Sequence, residues 1–246
     1  KLKGFMQDEY KLVNASNVSG EQLTEDTIKG LEGEVDKLQE KINELQEQAD
    51  KNDALIAEYK ASLNELTNLL SEINNAISVT DAQNQFKSEV QTAIVGDGEN
   101  KISQELFDKI WEKANPNQDA GAENTASITE VAKEVLNGEE NSDKKVSAIE
   151  TAYNTAKGKF STKTSGDYEY SLYNGKIVLG NNDEAKTNAI NNVTAGINSL
   201  DGIIADFENM NKGYKDNLET LNDSLTSVNN QIAYLKENPL PDSVIE

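Results

Sequence analysis

The 246-residue chain has no histidine, no cysteine and no arginine; every basic side chain is a lysine. Without cysteine there are no disulfides and no thiolate metal sites. Without histidine the usual general base and the commonest transition-metal ligand are missing. Without arginine there is no bidentate clamp for phosphate or carboxylate. Catalysis would have to rest on Asp, Glu, Lys, Ser or Tyr. The expectation is therefore a non-enzyme with no cofactor and no metal. Aromatics make up 6% and hydrophobic residues 36%, a composition usual for an elongated helical protein. No apolar run approaches the ~18 residues that span a bilayer, so direct membrane insertion is not expected. No signal peptide opens the chain at Lys1, which reads as a fragment or a trimmed or processed form. The net charge of −21 repels phosphate backbones and anionic membrane surfaces, which argues against nucleic-acid binding. An acidic, cysteine-free composition rich in Asn, Ser and Thr points to a secreted or bacterial cell-surface structural protein.

What the chain does have is heptads. Alternating steps of three and four connect Ile28, Leu31, Val35, Leu38, Ile42, Leu45, Ala49, Asn52, Ile56, Tyr59, Leu63, Leu66, Leu70, Ile73 and Ile77. An average step of ~3.5 residues winds helices into a left-handed coiled coil. Branched residues favour the a positions (Val35, Ile42, Ile56) and leucine the d positions (Leu31, Leu38, Leu45, Leu66). As one helix of about 50 residues the run would be ~75 Å long and could not bury its stripe alone.

A second run lies near the other end: Ile190, Val193, Ile197, Leu200, Ile204, Phe207, Asn211, Tyr214, Leu218, Leu221, Leu225, Val228, Ile232 and Leu235. Each run has a single polar break, Asn52 in one and Asn211 in the other. Each is also wider in one half. In the first run the g positions are Glu34, Lys41 and Gln48, then Leu55, Ser62, Leu69 and Ala76. In the second, Ala189, Ile203 and Met210 widen the stripe, whereas Asn217, Ser224 and Gln231 do not. An antiparallel pairing in which partner numbers sum to about 267 places the wide halves together. It sets Tyr59 against Phe207 and Tyr214, and brings the two Asn residues to one level, where they would satisfy each other and fix the register. The alternative is two separate homodimeric coiled coils.

These runs divide the chain into an N-terminal segment 1–20, a first coiled-coil helix 21–78, an inserted domain 79–186, a second coiled-coil helix 187–237 and a mobile tail 238–246. Segment 1–20 reads as a short helix or strand packed on the main helix, or as a partly ordered leader. Thr24 or Asp26 would cap the first helix. In the insert, Thr80 and Asp81 open a helix carrying Phe86, Val90 and Ile94. Ser103 opens another with Leu106, Phe107, Ile110 and Trp111. The polar loop 115–126 resembles a calcium loop but lacks its closing Glu, since Ala126 holds that place. Ser127 and Glu130 form a capping box for a third helix, and a fourth covers 142–158. A hairpin, 167–180, then follows: Tyr168, Tyr170 and Leu172 alternate with Glu169, Ser171 and Tyr173, and Asn174-Gly175 signals a type I′ turn before Lys176–Leu179. The fold class is mainly α: a long intramolecular antiparallel coiled coil with an inserted small α+β domain.

This order of elements resembles the type III secretion needle-tip proteins, the hydrophilic translocators. Gly98-Glu99-Asn100-Lys101-Ile102 followed by Leu106 to Lys113 is similar to that family's turn and short helix after its first long helix. Asn174 to Leu179 precedes the last helix much as it does there. The resemblance is architectural and covers about 28–235. It implies a secreted virulence scaffold that self-assembles on a needle through its rod, with its insert facing outward. Its partners would be a needle subunit, translocators or a host receptor, reached by protein–protein interaction, with a homo-oligomer on assembly. A coiled-coil adhesin stalk or filament protein with a ligand-binding head is the rival reading.

Overall fold

The computed structural model describes residues 19–116 and 125–242. Six helices and a four-stranded sheet make it mainly helical. Helix α1, Gly20–Asn74, and the last helix, α6, Asp183–Glu237, have 55 residues each. Between them come β1 (Ile77–Ser78), α2 (Val79–Ile94), α3 (Gln104–Ala114), α4 (Thr125–Val135), α5 (Ser142–Lys157), β2 (Phe160–Ser165), β3 (Tyr168–Tyr173) and β4 (Lys176–Leu179). The chain forms two compact units. One holds the described residues up to Lys60 and from Gly202; the other is Ala61–Asp201. The second unit thus takes in more than the expected insert, because it includes the adjoining ends of both long helices.

Helix α1 starts earlier and stops earlier than its periodicity suggests. Ser19, not Thr24 or Asp26, is its cap: the Ser19 hydroxyl accepts from the Gln22 amide at 3.2 Å. Thr24 instead turns back on the helix and donates to the Gly20 carbonyl at 2.6 Å. At the other end Ile77, expected as the last seam residue, lies in β1 and pairs with Val178 of β4. The reason is local. Ser78 caps α2 with an extended backbone (φ −78°, ψ 163°) and accepts from the Asp81 amide, which a helical path through Ile77 and Ser78 would not allow. Helix α2 accordingly begins at Val79 rather than at Thr80.

In the Ala61–Asp201 unit the sheet has order β1-β4-β3-β2, with β1 parallel to β4 and the other pairs antiparallel. Asn174 (φ 49°) and Gly175 (φ 79°) make the turn between β3 and β4, the two positive angles that a type I′ turn needs. Strand alternation sends side chains to two cores. Tyr173, Phe160 and Val178 face the helices α2 to α5, joining Phe86, Phe107, Ile110, Trp111, Ile128 and Ile149. Tyr168, Tyr170, Leu172 and Ile177 face Leu69, Ile73, Ala189 and Val193 on the ends of α1 and α6. The sheet is the middle of three layers.

Phe86 is the hub of the helical core. Its ring lies 5.5 Å from Trp111, 5.3 Å from Tyr153 and 5.4 Å from Phe160, so one aromatic joins α2, α3, α5 and β2. Strand β2 leaves little trace in the sequence: it sits at the sheet edge, and of Phe160–Ser165 only Phe160 is apolar. Helix α4 begins at Thr125, two residues before the expected capping box at Ser127. Residues 1–18, 117–124 and 243–246 lie outside the described residues, and with them most of the expected N-terminal segment, the calcium-like loop and the last part of the tail.

Candidate interaction faces

Among the described residues, no group of His, Cys, Asp or Glu is placed to hold a metal ion. No helix among the described residues is long and apolar enough to cross a membrane. The features that carry information are the faces of the helices.

In the unit made of residues up to Lys60 and from Gly202, α1 and α6 lie side by side and run antiparallel. Tyr59 stacks on Phe207 with ring centroids 5.8 Å apart, and Lys60 pairs with Glu208 at 2.9 Å. Both contacts fall within one residue of the expected register. Within this unit Ile42, Ala49, Ile56, Ile204, Leu218 and Ile232 are buried. Val35, Leu38, Leu45, Tyr59, Phe207, Tyr214, Leu221, Leu225 and Val228 are half-buried. In the other unit Ile73 and Val193 are buried, and Leu63, Leu66, Leu70, Ile190, Ile197 and Leu200 are half-buried.

The polar layer differs from the expected Asn–Asn pair. Asn52 and Asn211 are both buried, at 6% and 3% exposure. Asn211 Nδ2 donates to Asp53 Oδ1 at 2.6 Å and to the Ala49 carbonyl at 3.3 Å. Asn52 Nδ2 and Asn211 Oδ1 have no hydrogen-bond partner. The acceptor that sequence reasoning missed is Asp53, an e position beside the seam. A short carboxylate one residue after a seam Asn was its only trace.

One end of α1 is closed by the segment after α6 and the other by the first turn of α6. Gly20 N donates to Asp242 Oδ1 at 2.6 Å, and Leu240 N to Thr24 Oγ1 at 2.9 Å. The carboxylate meets the positive end of the helix. A Cβ on Gly20 would collide with the Leu240 carbonyl, so glycine is required there. In the Ala61–Asp201 unit Lys186 Nζ donates to the Asn74 carbonyl at 2.8 Å. It supplies the cation that the last turn of α1 lacks.

The two flanks of the seam are chemically unlike. On the e side are the Lys60–Glu208 pair, the Asp53–Asn211 bond and the charged residues Lys212, Lys215 and Asp216, which line one groove. On the g side, Leu55 is 36% exposed, Ile203 38% and Met210 45%. The extra g-side residues that widen the stripe are covered differently in the two units. In the Ala61–Asp201 unit Leu69 and Ala189 are buried among residues of the sheet, whereas Leu55, Ile203 and Met210 are left open.

Inside the Ala61–Asp201 unit the sheet is pinned by Lys163, whose Nζ reaches both carboxylate oxygens of Glu72 at 2.6 and 2.7 Å. Tyr168 lies across α6 and donates to the Asn192 carbonyl at 3.2 Å. Tyr173 is fully buried. Its hydroxyl faces the Glu89 carboxylate without a well-formed hydrogen bond. Burial, with Glu89 adding to it, holds that phenol protonated far above its ordinary range. Burial also raises the pKa of Tyr153, and burial and then Tyr168 raise that of Tyr170. These surroundings work against ionisation of Tyr153, Tyr170 and Tyr173.

No protein-family model matches the chain, and no curated protein and no solved structure matches it.

Proposed function

We propose that the chain is a non-enzymatic structural and interaction protein, a secreted scaffold of the needle-tip kind. Its α1–α6 pair acts as an intramolecular antiparallel coiled coil that docks on a type III secretion needle. The inserted sheet-and-helix unit engages translocators and the host surface. The observation that carries this reading is the pairing of α1 with α6 in the Tyr59–Phe207 and Lys60–Glu208 register. Two long helices, far apart in the chain and closed on one another, suit a scaffold. The absence of His, Cys and Arg supports a binding role over a catalytic one.

The test is co-sedimentation with filaments assembled from a purified type III needle subunit. The chain is expected in the pellet only when filaments are present. A chain that stays in the supernatant at every ratio of chain to filament sinks the needle-tip reading.

A further inference from the structure

We propose that Asn137 is a site of spontaneous covalent modification, deamidation through a cyclic imide, and that the fold withholds the same chemistry from Asn174. The proposal is independent of the scaffold reading and concerns how a copy of the chain ages.

Asn-Gly occurs twice in the chain, at Asn137-Gly138 and Asn174-Gly175. In such a pair the amide nitrogen of the second residue can attack the asparagine side chain, because glycine has no Cβ to obstruct the approach. The Gly138 nitrogen gives up its proton to solvent and bonds to Asn137 Cγ. The side-chain nitrogen leaves as ammonia, and a five-membered imide closes. Water then opens one of the two imide carbonyls. One product is aspartate. The other is isoaspartate, in which the main chain runs through the former side chain. Water is the one co-reactant, and nothing is oxidised or reduced.

All four residues are exposed, so access to water does not separate the two sites. Backbone freedom does, because ring closure turns the peptide between Asn and Gly out of its resting place. At 174–175 that peptide is the centre of the β3–β4 turn, with φ 49° before it and 79° after it. The Tyr173–Lys176 pair closes the ladder behind it, and the Asn174 amide donates to the Lys159 carbonyl at 2.9 Å. Turning this peptide disturbs a hairpin anchored by Tyr173 and Ile177, both buried. At 137–138, in the connection between α4 and α5, far less resists. Among the described residues no hydrogen bond engages the Gly138 amide, the attacking group. The Asn137 amide reaches the Glu134 carbonyl only at 3.4 Å, and the Glu139 amide meets the Leu136 carbonyl at 3.0 Å. Asn141 then leads into α5 without a side-chain cap bond.

The products do not fit the site as asparagine does. Leu136, the residue before Asn137, is fully buried in the helical core. Isoaspartate lengthens the main chain by one carbon immediately after that anchor. Either product also places a carboxylate just past the C-terminal end of α4, the negative end of the helix dipole. Glu134, Glu139 and Glu140 are close by in a chain that already carries −21. Conversion at Asn137 therefore loosens the attachment of α4 to α5.

Incubation of the full chain at neutral and mildly alkaline pH, followed by peptide mapping with mass spectrometry, tests this. The fragment bearing Asn137 is expected to gain the mass difference between an amide and an acid, faster in alkali, and to divide into aspartate and isoaspartate forms. The fragment bearing Asn174 should convert at least ~10-fold more slowly, because its turn must open first. In concentrated urea the two fragments should convert at similar rates. Asn137→Gln, whose ring would have six members, should keep its fragment intact and leave the melt of fresh protein unchanged. After equal incubation the unsubstituted chain should melt below Asn137→Gln. An Asn137 that stays intact in the folded chain overturns the proposal, and so does an Asn174 that converts as fast. A difference between the two that persists in urea overturns it as well, since the neighbouring residues and not the fold would then set the rates.

Discussion

The same two helices run through both units and are stabilised in two different ways. In the Ala61–Asp201 unit their ends are one layer of three, and the sheet covers the wide side of their stripe. All of the largest fully buried side chains, Phe86, Phe107, Tyr153, Tyr173, Leu69 and Ile73 among them, belong to this unit. In the other unit, among the described residues, the helices pack on each other and α1 also meets the short segment after α6. Its most deeply buried positions are Ala49 and Asn211, one small and one polar. A two-helix seam leaves most of its positions partly open to solvent, so apolar contact per residue is lower and register depends more on a few polar bonds. A three-layer unit removes whole aromatic rings from water. The difference teaches that a heptad repeat specifies a direction of packing and leaves the depth of burial to whatever else covers the stripe.

The largest effect that would test this contrast is truncation at the two kinds of core. Phe86→Ala should cost ~3–5 kcal/mol, as large-to-small changes at closed sites do. Leu45→Ala, at a half-buried seam position, should cost about 1 kcal/mol, because water already reaches it. Urea unfolding followed by Trp111 fluorescence and by ellipticity measures both. Equal costs would mean that the seam is packed as tightly as the helical core.

The polar layer gives the next largest effect, of opposite sign. Asn52 Nδ2 and Asn211 Oδ1 are buried without partners, and each such atom costs about 1–3 kcal/mol. The double change Asn52→Leu with Asn211→Leu should raise stability by roughly 2 kcal/mol and loosen register. A spin-label distance distribution between α1 and α6 should broaden as the melting temperature rises. A higher melting temperature with an unchanged distribution would show that the layer does not set the register.

Two glycines of α6 offer a sharper comparison still. A Cβ at Gly196 would sit 2.9 Å from the Tyr168 hydroxyl and 3.2 Å from Leu66 Cδ1, whereas at Gly213 it would meet nothing within 4 Å. Gly196→Ala should destabilise by about 1 kcal/mol, overpacking outweighing the gain in helix propensity. Gly213→Ala should stabilise by ~0.5–1 kcal/mol. Thermal melts of the two variants that move in the same direction would remove Tyr168 as the reason for glycine at 196.

The smallest effect at neutral pH is confined to alkali. The folded-state pKa values of Tyr153, Tyr170 and Tyr173 are raised, chiefly by burial. Above the unfolded tyrosine value of ~10 the unfolded chain loses these protons first, so stability is full below about pH 10 and falls as pH rises beyond it. Tyr173→Phe should make that decline shallower, as read from urea midpoints across alkaline pH. An unchanged slope would assign the decline to other groups.

The elements that were legible carry strong local signals. The two heptad runs determined two long helices and, through their matched polar breaks and widened halves, the antiparallel register. Asn174-Gly175 between alternating runs determined the β3–β4 turn, because few residues accept two successive positive φ angles. The tertiary structure decided what depends on contacts distant in sequence. It drew Ile77 out of α1 to pair with Val178, and made an edge strand of a polar segment beginning at Phe160. It chose Asp53 over Asn52 as the partner of Asn211. It also closed both ends of α1 with Asp242 and Lys186, which are near it only in space. Local periodicity fixes which face of a helix is apolar, since that follows from 3.6 residues per turn. Which part of that face is covered, and by what, follows from long-range packing: Leu69 came to lie beneath the sheet while Leu55 stayed open.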